Sequence, residues 1–148
     1  MNAPFEINLR TGSLNFPVLE MTLTSRQSLH AFLVTDAGRN AVDGGGNGGW
    51  QRYHFHRRPL PDGRVLGVSL FFFEGCLAQV TFGYRPESES SWSNWSEKQE
   101  RARAEIYQRD LAQQLGRTGQ FPWGKAGAGY DDKAAAAILW VNYTSQAK

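Results

Sequence analysis

The residues of this chain that most suggest chemistry are two histidines, His54 and His56. Side chains two residues apart in a strand point to the same face of a sheet, so the two imidazoles would lie side by side, as at the start of a zinc site. Two ligands are too few for such a site. Arg52 and Arg58 would share that face, and their positive charges would oppose a divalent cation. The pattern therefore predicts a solvated face, with no bound metal and no other cofactor.

The same segment interleaves arginines with aromatic residues, which is the composition of a platform for single-stranded nucleic acid. Strand alternation places Tyr53 and Phe55 on the face opposite to Arg52 and Arg58. Stacking rings and phosphate contacts would then not converge on one surface. The formal net charge of +2 supplies little attraction for a polyanion. Nucleic acid is therefore disfavoured as a partner.

Other reactive groups lack the neighbours that catalysis requires. Residues 119–125 have the glycine spacing of a phosphate-binding loop, but Ala126 stands where a hydroxyl residue should hold magnesium. Cys76 begins a predicted strand, away from any helix N-terminus that would lower its pKa. Asp131 and Asp132 are typical of an exposed turn rather than of a pair of catalytic carboxylates. No catalytic residue is predicted.

Aromatic residues are abundant, with five tryptophans, five tyrosines and nine phenylalanines. Most of them must form the core, but Trp92 and Trp95 stand in a polar stretch before a charged helix. We expect this pair to fasten the helix to the sheet; the alternative is that one ring stays exposed as a contact. Tryptophan and arginine dominate protein interfaces. The candidate binding residues are Trp50, Arg52, His54, His56, Arg58 and Trp92.

The overall composition indicates one compact domain spanning residues 1–148, of which 41% are hydrophobic. The first residues do not have the basic stretch and apolar run of a secretory signal, and no window approaches the about 20 apolar residues that cross a bilayer. Cys76 is the single cysteine, so no internal disulfide can form. We therefore expect a cytoplasmic protein with no membrane partner.

The first third of the chain predicts a strand and a short helix. Alternation over residues 5–9 indicates the strand, and residues 14–21, interrupted by Pro17, are predicted to be irregular. Thr24 and Gln27 have the spacing of a capping box, which would start a helix that ends near Gly38. The glycine-rich segment at about 38–49 is predicted to be a flexible connector.

Residues 50–84 predict three antiparallel strands, at 50–57, 65–73 and 76–84. Glu74 and Gly75 form the hairpin between the last two. The middle strand is apolar on both faces, as expected of a central strand.

A long helix is predicted from about Asn94 to Leu115. Ser96 and Gln99 have capping-box spacing and Gly116 suits the C-terminal cap. Its apolar stripe consists of Ala102, Ile106, Tyr107, Leu111 and Leu115. A strand, an Asp-rich turn and a second strand follow. The order β-α-β-β-β-α-β-β predicts an α+β fold, with a single antiparallel sheet of five to six strands and the long helix packed on one face.

The C-terminal third also carries a recognisable pattern. It consists of Trp92-x-x-Trp95-Ser96-Glu97, Leu115-Gly116, Phe121-Pro122-Trp123-Gly124, Tyr130-Asp131-x-Lys133 and Ile138-x-x-Val141-x-Tyr143. The pattern resembles a group of small bacterial α+β proteins with a similar Trp-Ser-Glu helix, Trp-Gly strand and Tyr-Asp-x-Lys turn. The resemblance implies no particular activity. Some compact α+β proteins of this kind are immunity proteins that cap a cognate bacterial toxin.

These observations lead to three hypotheses. The first is a non-enzymatic module that binds another protein, in its most concrete form an immunity protein. The alternative is a small-molecule binding domain with an aromatic pocket between the long helix and the sheet. The third is an enzyme that uses His54 and His56.

Overall fold

The computed structural model describes residues 3–144, which form strands and three helices. The strands are β1 (Glu6–Ile7), β2 (Leu14–Phe16), β3 (Met21–Leu23), β4 (Val42–Asp43), β5 (Trp50–His54), β6 (Arg58–Pro59), β7 (Arg64–Phe73), β8 (Cys76–Pro86), β9 (Gly119–Phe121), β10 (Gly124–Asp131) and β11 (Ala136–Tyr143). The helices are α1 (Leu29–Leu33), α2 (Asp36–Arg39) and α3 (Glu97–Leu115). Short 3-10 turns lie at Pro17–Leu19, Glu87–Glu89 and Trp92–Asn94.

The strands form two antiparallel sheets. The smaller has three strands in the order β1-β2-β3. The larger has eight, in the order β4-β5-β7-β8-β11-β10-β9, with β6 paired to β7. The predicted single sheet of five to six strands is therefore wrong. Pro17 does not break a strand, because it begins the 3-10 turn that connects β2 to β3, so the region predicted to be irregular is a hairpin.

The core lies between the two sheets and α3. Tyr107 and Leu111 of α3 are fully buried, and α3 packs on β10 and β11. Phe82 of β8 forms edge-to-face contacts with Phe5 and Phe16, which lie on the side of the smaller sheet. Each pair has ring centroids 5.0 Å apart. Such edge-to-face pairs add to the stabilisation that comes from burial alone. We call the face of the larger sheet that meets this core the inner face.

The predicted caps of the long helix and its end at Leu115 are confirmed, but the helix begins at Glu97 and not at about Asn94. The Ser96 side chain accepts a hydrogen bond from the Gln99 backbone N–H at 3.1 Å, and Gly116 closes the helix in the left-handed conformation with φ 79°. The predicted apolar stripe is partly wrong. Ile106 is 42% exposed, whereas Glu100 and Arg103 are buried. These two side chains can be buried because they form ion pairs.

The earlier segment also differs from its prediction. Ser28, not Thr24, caps α1, and its side chain accepts a hydrogen bond from the Ala31 N–H. Gln27 does reach back to the Thr24 N–H, at 3.1 Å, but the bond closes a turn that precedes the helix. The glycine-rich segment contains β4, which pairs with β5.

The link between strands β1 and β2 is locked against the larger sheet at Gly12. Tyr143 donates a hydrogen bond to the Gly12 carbonyl at 2.7 Å, and Trp123 donates one to the Leu9 carbonyl at 2.9 Å. Gly12 has φ 76°, and a Cβ there would lie 2.5 Å from the Trp123 ring. The position therefore requires glycine for both conformation and space.

Gly12→Ala is expected to lower the free energy of unfolding by about 3 kcal/mol, since a left-handed alanine costs about 1 kcal/mol and overpacking a further 1–3 kcal/mol. Urea denaturation measures the change. Gly63→Ala is the matched control, because Gly63 has φ 89° and open space around its Cβ position. It should cost about 1 kcal/mol. Equal losses in the two variants would show that the contact with Trp123 is not tight.

Candidate functional site

The larger sheet has an outer face, opposite to the core, on which side chains are half-buried or exposed. Buried and less buried residues alternate along β7, β8 and β11, so successive side chains point to the two faces in turn. On β5, Tyr53 is buried against the inner side, whereas Trp50, Arg52 and His54 alternate with it and belong to the outer face. The outer face is therefore the surface on which several of the predicted binding residues meet.

A groove of about 520 Å³ crosses one end of this face. Strands β5, β7 and β8 line one side. The other side consists of residues 134–138 at the start of β11 and residues 89–95, which we call the tryptophan arm. Trp95 fastens the arm, because its Nε1 donates a hydrogen bond to the Ala135 carbonyl at 2.7 Å. Trp92 packs beside Trp95, with ring centroids 6.2 Å apart, and stays 73% exposed.

The floor of the groove has few side chains. Gly67 of β7 stands opposite Gly83 of β8, and Ser69 stands opposite Thr81. A Cβ on Gly67 would meet only open space. Gly67 thus leaves room for another chain to approach the sheet closely. A Cβ on Gly83 would lie 3.1 Å from the Tyr107 hydroxyl, so that glycine makes room for Tyr107.

The walls of the groove are rich in arginine. Arg52, Arg57 and Arg85 line it, together with one acidic residue, Glu89. Arg57 donates a hydrogen bond to the Ser90 carbonyl at 3.3 Å, which connects the segment after β5 to the tryptophan arm. Glu89 is already engaged, because it pairs with Arg103 of α3. The groove therefore presents positive charge to a ligand.

His54 also lines the groove. Its Nδ1 atom is buried and has no hydrogen-bond partner among the described residues. Buried polar atoms of native proteins are normally hydrogen-bonded. This nitrogen is therefore an unsatisfied polar atom beneath the surface of the groove.

Behind the groove, strands β8 and β11 separate. Their register ends at Phe82 opposite Leu139. Beyond that point, the Tyr107 hydroxyl accepts from the Tyr84 N–H at 2.8 Å and donates to the Tyr84 carbonyl at 2.7 Å. Burial raises the pKa of Tyr107. Burial, and then the hydrogen bond to Asp110, raises the pKa of Tyr84.

Glu100 accepts a hydrogen bond on the β11 side of the gap between β8 and β11. Its Oε1 accepts from the Ala137 N–H at 3.1 Å, and its Oε2 lies 3.0 Å from Arg85 Nη1 and 3.4 Å from Arg103 Nη2. Side chains of α3 therefore replace the missing strand pairing. They also hold Arg85 at the groove and, through Arg103 and Glu89, hold the arm.

Three of the predicted binding residues, Arg52, His54 and Trp92, line the groove. The expectation that both tryptophans fasten the helix is wrong for Trp92, which is exposed, although Trp95 does fasten the arm to the turn between β10 and β11. The alternative, in which one ring stays exposed, is the one observed.

The other three predicted residues do not line the groove. Trp50 lies further along the outer face and packs on Phe73, with ring centroids 4.8 Å apart. The strand predicted over residues 50–57 ends at His54, so His56 does not continue its alternation. Arg58 belongs to β6 and donates to the Val18 carbonyl at 2.9 Å. The predicted face shared by both histidines and both arginines is therefore wrong.

The groove also contains residues that the sequence did not single out as a site. They are Arg57, Arg85, Trp95 and the glycine pair Gly67 and Gly83. Gly67 was the available signal, because it interrupts an otherwise apolar strand.

A second cavity, of about 510 Å³, lies between α3 and the end of β8. Tyr84 and Tyr107 line it, but both hydroxyls are already hydrogen-bonded within the protein. The aromatic pocket of the small-molecule hypothesis stays a prediction.

Two negative findings concern residues 3–144. No group of three or more His, Cys, Asp or Glu side chains there is arranged to hold a metal ion. No helix in the same range is long and apolar enough to cross a membrane.

Comparison with solved structures finds one fold match for the chain. A chain of the structure described as "Rhs1-CT in complex with cognate immunity protein RhsI1" superposes with a TM-score of 0.59 and 16% sequence identity. The match covers 94% of this chain and 86% of that chain. No protein-family model matches the sequence, and neither does any curated protein. At this identity, the similarity shows a shared fold.

Proposed function

We propose that this protein is an immunity protein, a non-enzymatic cytoplasmic protein that binds a bacterial toxin domain and covers its active surface. The groove is the observation that carries the proposal. There, an exposed tryptophan stands beside arginines on an open sheet face. Tryptophan and arginine are the side chains that most often dominate the binding energy of protein interfaces.

The fold match supports the same proposal. It comes from a complex that contains an immunity protein, and it extends over 94% of this chain. A fold can host unrelated functions, so the match supports the role only together with the groove.

The chemistry of the groove favours binding over catalysis. A nucleophile is normally activated by a base that a third group orients. His54 Nδ1 has no such partner in the described chain, and Glu89 is held in an ion pair with Arg103. The described residues of the groove thus form a recognition surface rather than an acid–base pair.

The test is co-expression with the coding sequences that flank this one in its genome. We expect one flanking product to arrest growth when expressed alone, and to be neutralised and co-purified in a defined ratio when this chain is present. If no flanking product is toxic and none co-purifies, the proposal is wrong.

Variants then locate the interface on the toxin pair. Trp92→Ala is expected to weaken binding at least about tenfold, because it removes an exposed aromatic anchor. Ile106→Ala is the matched control, since Ile106 is also an exposed apolar residue but lies on α3, outside the groove. Equal affinity for the two variants would remove the groove from the interface.

A further inference from the structure

We infer that the groove receives an acidic segment of the partner, with an Asp or Glu carboxylate on Arg52 and Arg57 and a neighbouring apolar side chain on Trp92. The inference rests on the proposed function and names the chemistry by which the partner is recognised. It begins from the charge of the groove, which three arginines and one glutamate line.

The acidic groups near the groove are already engaged. Glu89 pairs with Arg103, and Glu100 pairs with Arg85 and Arg103. No carboxylate within residues 3–144 forms an ion pair with Arg52 or Arg57. These two guanidinium groups therefore carry the uncompensated charge, and a guanidinium binds a carboxylate through two parallel hydrogen bonds.

The rest of the groove fits a peptide. At the floor, Gly67 leaves open space in which a backbone can approach the sheet. Trp92 supplies apolar surface at the rim. The volume of about 520 Å³ falls within the range of ligand sites in proteins.

A nucleic acid fits less well. Such a ligand needs a basic track that follows several phosphates, together with rings on which successive bases stack. Here Glu89 interrupts the basic wall, and Trp50, further along the outer face, is already packed on Phe73. One carboxylate, by contrast, needs only one or two arginines.

The experiment uses the full chain and a synthetic peptide with two glutamates flanking a phenylalanine. NMR spectra of the labelled protein follow the Arg52 and Arg57 side-chain N–H groups and the Trp92 indole N–H. We expect these signals to shift when the peptide is added at low salt. The affinity should fall at least about fivefold in Arg52→Gln, and it should also fall as the salt concentration rises. Arg10→Gln, an exposed arginine outside the groove, should bind as the wild type does.

Two comparisons can overturn the inference. If the peptide with glutamines in place of glutamates shifts the same signals equally, the groove does not select carboxylates. If an oligothymidylate shifts them at lower concentration than the acidic peptide, the groove is a nucleic-acid site.

The toxin pair separates this inference from the proposed function. Arg52→Glu combined with Arg57→Glu should abolish neutralisation if both are right. Unchanged neutralisation would overturn the acidic segment and leave the immunity role standing. Selective binding of the glutamate peptide, with no toxin partner, would uphold the chemistry of the groove and overturn the immunity role.

Discussion

The protein is expected to lose stability steeply above about pH 10, because three tyrosines are buried in its core. Burial raises the pKa values of Tyr84, Tyr107 and Tyr143 above the ordinary value of 10.0. In the unfolded chain these hydroxyls release their protons near pH 10, whereas in the folded chain they keep them to higher pH. The folded state then binds more protons, so the free energy of unfolding falls as the pH rises.

The slope has a defined size. Each tyrosine that is protonated only in the folded state contributes about 1.4 kcal/mol per pH unit, so Tyr84 and Tyr143, whose pKa values are raised furthest, contribute about 3 kcal/mol per pH unit above roughly pH 10–11. Below the ordinary pKa, their contribution is fully present. Urea denaturation at a series of pH values measures the slope, and tyrosinate absorbance should appear for these residues only as the protein unfolds.

Tyr143→Phe provides the control. The variant loses one hydrogen bond, to the Gly12 carbonyl, which lowers stability at neutral pH by about 1 kcal/mol. It should also reduce the alkaline slope by up to about half, since one of the two tyrosines with the most strongly raised pKa values is gone. An unchanged slope would mean that other groups cause the alkaline unfolding.

The sequence predicted those elements whose ends are marked by capping or turn residues. The hairpin at Glu74 and Gly75 and both caps of α3 are present as predicted, because each depends on a few neighbouring residues. Of the smaller sheet, alternation over residues 5–9 predicted the strand that contains β1, but not β2 and β3. These two strands have only three residues each, which is too little alternation to be recognised, and they are held by tertiary contacts such as Phe16 on Phe82.

The groove could be predicted only in part, because its geometry depends on irregularities. A one-residue register shift between Phe71 and Phe72 places Gly67 opposite Gly83, whereas regular pairing from the hairpin would place it opposite Phe82. The end of β5 at His54 likewise breaks the alternation that the sequence implied. Neither irregularity has a signal in the residues themselves.

Glu100→Ala is expected to be among the most destabilising single substitutions in the chain, at about 3–5 kcal/mol. Glu100 is only 2% exposed. Its removal leaves the buried Arg103 with Glu89 alone and deprives the Ala137 N–H of its acceptor. A buried charge that loses one of its two partners and an unsatisfied buried donor are both costly. Urea denaturation at neutral pH measures the loss.

Two variants on the same helix separate the causes of that loss. Glu100→Gln keeps an oxygen for the Ala137 N–H but removes the charge, so it should cost less than alanine. Glu97→Ala breaks an exposed pair with Arg101, at 2.7 Å, and should cost about 0.5 kcal/mol. If Glu100→Ala is as mild as Glu97→Ala, the gap between β8 and β11 does not depend on Glu100. If the prediction holds, the loss extends to binding, because Glu100 holds Arg85 at the groove and, through Arg103 and Glu89, the tryptophan arm.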